Sequence, residues 1–368
     1  MRAAVRAWAE LLRVSALFTV PGDALAGAAA LGRRPGRGTA LAVGASLCLY
    51  EAGMALNDWA DRDEDAIDRP HRPIPSGRIT PGAALAAAGA LTAAGLTMAA
   101  RAGRPALTVA TGLAATVWAY DLRLKHTQAG PAAMAAARAL DLLLGATATA
   151  TATAGTGAAS VGVERPVGAN GTSRAARTSL PTRTARILSG ARAPGPAQPM
   201  RPARTTHTDV RAALPAAALL GAHTYAVTAV SRHEAHGGST AAPLGALAAI
   251  VALGAAAVRE QRGSRDLPPV PGEGGPGDHH RTRPGAPAPR LLLTALTAAY
   301  LRTAAEPLLH ATLNPSPPLT QRAVGSGIRA MIPLQAVLAA RAGAAGTGLA
   351  VMGLVPLART LARKVSPT

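Results

Sequence analysis

The chain has 368 residues and carries 38 Lys and Arg against 19 Asp and Glu, a formal net charge of +19. That charge does not describe a nucleic-acid binder, because only Lys125 and Lys364 are lysines, the arginines are scattered through loops, and three Trp, four Tyr and one Phe are too few and too dispersed for a stacking platform. Attraction to anionic lipid headgroups is the better use for it, and Cys48, alone in an apolar run, excludes an intrachain disulfide and a cysteine metal site.

Hydrophobic residues make up 49% of the chain and mean hydropathy is only +0.19. Soluble proteins reach a similar apolar fraction, so composition alone leaves an alanine-rich soluble bundle open. The order of residues is more telling. Arg2 and Arg6 are followed by Glu10 and Arg13 before the first apolar stretch, which is not a cleavable-signal pattern, so that stretch is expected to be retained as a span. Apolar runs near the length of a span, about 20 residues, lie near 14–32, 38–57, 81–100, 104–120, 131–150, 211–231, 241–258, 290–309 and 322–341. A further run, 345–362, either spans or lies along the interface. The expectation is an all-α polytopic membrane protein of about nine transmembrane helices, packed through small Ala and Gly side chains.

Two stretches interrupt this pattern. Residues 155–208, rich in Ala, Gly, Thr, Pro and Arg, and residues 259–289, rich in Pro, Gly and charge, contain too little apolar surface to offset their ordering entropy and read as disordered inserts. The expected division is 1–154, a first transmembrane half; 155–208, an insert; 209–258, further spans; 259–289, a second insert; and 290–368, the C-terminal spans.

The chemistry concentrates between Asn57 and Arg78. Six of the chain's 19 acids lie here: Asp58, Asp61, Asp63, Glu64, Asp65 and Asp68. At about 100° per residue, Asn57, Asp61, Asp65 and Asp68 share one helical face with Glu64 beside them. Like charges stacked this way repel, and a hard divalent cation with oxygen ligands would hold them together. Pro70 ends the helix, and an arm stiffened by three prolines then presents Arg69, Arg72 and Arg78, whose forks suit phosphate oxygens. An EF-hand register from Asp61 fails, since Ala66 stands at the obligatory Gly and Arg72 at the closing Glu.

Asn57, Asp61 and Asp65, with the Asp68-Arg69-Pro70-x-Arg72-Pro73-Ile74-Pro75-Ser76-Gly77-Arg78 that follows, resemble the first aspartate-rich motif of the UbiA superfamily of intramembrane prenyltransferases. The resemblance implies a membrane bundle that moves a prenyl group from a prenyl diphosphate to a lipophilic or small-molecule acceptor, with Mg2+ held by Asn57, Asp61, Asp65 and Asp68. Tyr120-Asp121-Leu122-Arg123-Leu124-Lys125 is similar to the family's Tyr…Lys loop, whose basic end reaches the diphosphate. The third loop departs from the family: Ala229 and His233 stand at the positions of a second Asp-x-x-x-Asp, leaving Glu234 as the nearby carboxylate for a metal and Arg232 or His233 to bind phosphate oxygens directly. That altered motif suggests a divergent, actinobacterial-type branch.

The implied roles are Asp61, Asp65 and Lys125 as catalytic residues, and Arg72, Arg78, Tyr120, Tyr225, Arg232 and Glu234 as substrate contacts. Tyr120 and Tyr225 sit at span ends where an aromatic face would stabilise an allylic cation. Arg138 and Asp141, three apart inside a span, face either a cavity or each other. Counting spans places the loops at 58–80, 121–130 and 232–240 on one side of the membrane, and the positive-inside rule makes that side the cytoplasmic face of the cell membrane. A second class of function stays open: a non-catalytic membrane protein that binds or translocates a prenyl-type lipid or small metabolite, which would explain the missing second acidic motif.

Overall fold

A computed structural model describes residues 2–158, 210–234, 237–263, 287–357 and 360. Most of the stretch 155–208 and residues 264–286 lie outside them, as does His236, so the two expected inserts fall largely beyond the described residues. The described residues are helical nearly throughout: α1 (Arg2–Leu11), α2 (Pro21–Ala30), α3 (Arg37–Ala60), α4 (Arg62–Asp68), α5 (Pro81–Ala102), α6 (Arg104–Ala119), α7 (Gly130–Ala158), α8 (Leu214–Ser231), α9 (Ala241–Gly263), α10 (Pro287–Leu313), α11 (Pro317–Arg341) and α12 (Ala345–Met352).

Among the described residues, six helices are long and apolar enough to cross a membrane, at Arg37–Ala60, Pro81–Ala102, Gly130–Thr151, Val210–Ser231, Ala241–Arg259 and Pro317–Arg341, which corrects the expectation of about nine. The lost spans have separate causes. Within 14–32, a 3-10 turn over Val14–Thr19 and Pro21 break the run, and α2 is 10 residues long. The run 104–120 forms a 16-residue helix, about 24 Å long against a hydrocarbon core of about 30 Å. The run 290–309 lies in a 27-residue helix whose apolar sequence is interrupted by Arg302 and Glu306. The run from 345 gives a short apolar helical stretch, Ala345–Leu357, that opens with the eight-residue α12.

Helix ends follow local chemistry. Pro81 opens α5 at a position where its missing N–H costs nothing, and Thr80 Oγ1 accepts from Ala83 N at 3.3 Å. Gly103, at φ 133°, turns the chain from α5 into α6. Packing relies on close backbone approach. α2 lies against α7, and a Cβ on Gly145 would come within 2.3 Å of Ala24 Cα, while one on Gly27 would come within 2.2 Å of the Leu142 carbonyl oxygen. Gly145→Val is therefore expected to destabilise the bundle by about 2–3 kcal/mol. Gly82→Ala, with open space around its Cβ, serves as the neutral control. Thermal unfolding in detergent would read the difference, and equal melting points for the two variants would refute it.

Among the described residues, four groups of buried side chains form the core, and three of them position the site. Leu142, Leu220, Tyr300, Leu308 and Leu334 join α7, α8, α10 and α11. Leu49, Ala99, Leu113 and Leu144 join α3, α5, α6 and α7. Leu11, Leu56, Ile74, Ile79 and Ala84 join α1 and α3 to the proline arm and α5. The last group anchors the loop over the cavity mouth.

Candidate active site

The four-residue period of the acids survives in the backbone. Asp61 N bonds to Asn57 O at 2.9 Å, Asp65 N to Asp61 O at 2.7 Å and Arg69 N to Asp65 O at 2.9 Å. The i to i−4 ladder thus runs through the joint at Asp61, where ψ of 3° separates α3 from α4. Stacking these acids demands positive charge, and the chain supplies it. Asp58 and Asp65, both buried, share Arg72, whose Nη1 lies 3.3 Å from Asp58 Oδ1 and 2.8 Å from Asp65 Oδ2. Arg13 adds a contact to Asp58 at 3.2 Å, and Arg69 Nε approaches Asp65 Oδ1 at 3.1 Å. Lys125 is ion-paired with Asp61.

Lys125 reaches Asp61 because α6 ends in a π-turn over Tyr120–Leu124, closed by Lys125 N to Tyr120 O at 3.0 Å. The same turn points Asp121 inward, where its Oδ1 accepts from Asn57 Nδ2 at 3.2 Å. The third loop joins them through Arg232, which donates to the Thr127 carbonyl oxygen at 2.7 Å. The three loops therefore meet at one end of the bundle, a result that rests on contacts and needs no span count.

Asp61, Glu64 and His126 bring ligand atoms within 4.8 Å of one another, a group able to hold a metal ion. Two carboxylates suit a hard cation such as Mg2+, and the buried Asp65 Oδ1 has no hydrogen bond, only the ion pair with Arg69. The donor set fits a divalent cation. It differs from the sequence-derived set: Asn57 faces Asp121, Asp65 faces Arg72, and Asp68 is exposed.

Below the loops lies a cavity of about 420 Å3. Asn57, Tyr120, Asp121 and Glu234 line its mouth, with Leu49, Met54, Val117, Val227 and Met331 along its walls. Two expected contacts stand elsewhere. Tyr225 is 49% exposed on the outer side of α8. Arg78 pairs with Glu10 at 2.7 and 3.1 Å outside the cavity, and that pairing holds the Glu10 carboxyl below its usual value. Glu234 is half-buried, and desolvation raises its carboxyl.

Sequence reasoning assigned no role to Tyr50 or Asp121, which both line the cavity. Tyr50 had a readable signal, since it lies seven residues before Asn57 on the same face of α3. Asp121 had one only through its neighbour Tyr120. Burial pushes the Asp121 carboxyl up to about 7, with the Asn57 amide and Lys125 opposing. A carboxyl raised in the folded protein removes stability as pH climbs from 3.8 to about 7, and nothing further above that. Asp121→Asn is expected to flatten the dependence of Tm on pH across that window in metal-free buffer. An unchanged slope would refute it.

An all-helical membrane bundle with acids, arginines and a lysine gathered over one internal cavity is the class of protein that fold and site define. Residues 15–166 match the UbiA prenyltransferase family model. A UbiA homologue from Archaeoglobus fulgidus, bound to GPP and Mg2+, has the same fold, with a TM-score of 0.53 and 17% identity over 94% of this chain and 99% of that one. A structure of digeranylgeranylglyceryl phosphate synthase in membranes gives a TM-score of 0.53 and 14% identity, covering 94% of this chain and 100% of that one. In sequence, digeranylgeranylglyceryl phosphate synthase of Methanopyrus kandleri is 37% identical over 128 residues, 33% of this chain and 45% of the relative. The match thus spans less than half of that curated relative. The fold is that of these UbiA homologues, and the family model matches residues 15–166, less than half of the chain.

Proposed function

We propose that the protein transfers a prenyl group from a prenyl diphosphate to a lipophilic or small-molecule acceptor inside the membrane, with Mg2+ as cofactor. The observation that carries this reading is the joining of Asp61, Glu64 and His126, with Lys125 ion-paired to Asp61, above an apolar cavity. In this reading the loops face the cytoplasm, and the chain is a divergent member whose second motif is reduced to Glu234.

Asp61, Glu64 and His126 would hold the cation, while Asn57 and Asp65, engaged by Asp121 and Arg72, and the exposed Asp68 would reach it only by exchanging those partners. A divalent cation held there would supply charge neutralisation at the diphosphate oxygens and so a better leaving group. Lys125 and Arg72 donate to those oxygens, releasing their hold on Asp61, Asp58 and Asp65 as they do so. Arg232 lies near the same loops. Arg78, fixed by Glu10, braces the arm instead of touching substrate. As the C1–O bond breaks, its electron pair leaves with the diphosphate, and the charge left on C1 faces Tyr120 and Tyr50. Tyr120 and Tyr50, which line the cavity, supply the aromatic faces, and the exposed Tyr225 does not. Leu49, Met54, Val117, Val227 and Met331 hold isoprenoid carbons away from water.

The test is consumption of labelled prenyl diphosphates by detergent-purified protein, with Mg2+ and with EDTA, across an acceptor panel. Turnover lost on chelation supports the reading. Metal-dependent binding without turnover across the panel would overturn it in favour of a non-catalytic lipid binder.

A further inference from the structure

The outer face of α10 carries charge that the fold does not use. Tyr300, Ala304, Leu308 and Ala311 turn into the core against α9 and α11. Ala295, Ala298, Arg302, Glu306, Leu309 and Leu313, spaced by three or four residues, are exposed on the other side. α10 runs antiparallel to α9, since Gly238 N before α9 bonds to Pro315 O after α10 at 2.8 Å. A Cβ on Gly254 of α9 would meet Leu301. Arg302 therefore lies about 9 Å, and Glu306 about 15 Å, inside the level of Arg259. Glu306 thus stands near the middle of the 19-residue apolar stretch Ala241–Arg259. Among the described residues neither charged group has an ion-pair or hydrogen-bond partner. The long Arg302 stem can extend toward headgroups, but the shorter Glu306, at that depth, cannot. Pairing the two on α10 itself uses the weaker order, Arg before Glu, and leaves the pair facing lipid.

We infer that this face is an interface between two copies of the chain, in which Arg302 of each protomer pairs with Glu306 of the partner subunit. A twofold axis along the membrane normal sets α10 beside its own copy at equal depth, so whatever one face offers the same face must accept. A face of one charge sign would repel its copy. This one carries both signs one helical turn apart, so two reciprocal pairs form together, as between the flanking positions of a parallel coiled coil. Ala295 and Ala298 let the two backbones approach closely. With water excluded, each pair is stronger than on a wet surface. The charges that interrupt the apolar run of α10 thus meet protein and not lipid.

Self-association is measured by Förster transfer between donor- and acceptor-tagged full-length protein in liposomes at low protein-to-lipid ratio. The wild type is expected to show transfer. Arg302→Glu, which puts two acids on the face, and Glu306→Arg, which puts two arginines there, are each expected to weaken self-association at least about tenfold. Mixing Arg302→Glu with Glu306→Arg is expected to restore it, because each variant then supplies the sign that the other lacks. Pairing within one chain cannot give that recovery. A wild type that stays monomeric, its face covered by lipid or by its own chain, overturns the inference and needs no variant to fold. Single variants that elute as folded bundle and associate as the wild type does overturn it too. So does a mixture of the two folded variants that associates no better than either alone.

Discussion

Asp61→Asn is expected to lower Mg2+-dependent consumption of prenyl diphosphate by at least about 100-fold, while the protein still elutes as folded bundle from a sizing column. Asp61 is the acid common to the ion pair with Lys125 and to the group formed with Glu64 and His126. Asparagine keeps its shape and removes its charge, so a cation held there would lose an anionic ligand. Lys125 keeps a neutral partner, which spares the fold. Asp65→Ala is expected to lose comparable activity with more damage to stability. Asp65 is 1% exposed and bonded to Arg72 at 2.8 Å, and its removal leaves Arg72 to Asp58 alone. Titration of Mg2+ against activity separates ligand loss from misfolding. A right-shifted Mg2+ curve with unchanged Tm is the signature of Asp61→Asn. Wild-type turnover in that variant would remove Asp61 from the metal site.

Arg138→Met is the second large effect, and it is one of stability. Asp23 has no exposed surface and relies on Arg138 at 2.5 Å and Gln335 at 2.6 Å. Breaking a buried ion pair from one side strands the other charge, typically at about 3–5 kcal/mol. The variant is expected to melt far below the wild type in detergent. Adding Asp23→Asn to it removes the stranded charge and is expected to recover much of the loss, because a neutral amide can still accept from Gln335. A double variant no more stable than Arg138→Met would show that the guanidinium acts through packing and not through Asp23.

The contrast between Arg138 and Asp61 marks what was legible in the amino-acid order. The acid period at Asn57, Asp61 and Asp65 is a property of neighbouring residues, and the i to i−4 ladder preserves it. The Tyr120–Lys125 loop was legible in the same way, since spacing along one segment survives folding. For Arg138, the sequence allows either Asp141 or a cavity as its partner. Arg138 meets both, yet its shortest contact is to Asp23, 115 residues away in sequence.

Local order thus determined the helices, their proline and glycine ends, and the acids and bases of the first two loops. Long-range packing decided the rest. It did not set the span count, since Pro21 and Gly103 are local breaks that leave α2 at 10 and α6 at 16 residues, so length along the chain overstated the number of spans. It turned Tyr225 outward and Tyr50 inward, because the face a helix buries depends on which neighbours it meets. It also gave Arg78 to Glu10 and Arg72 to Asp58 and Asp65. Each arginine takes the nearest carboxylate in space, and separation along the chain carries no record of that distance.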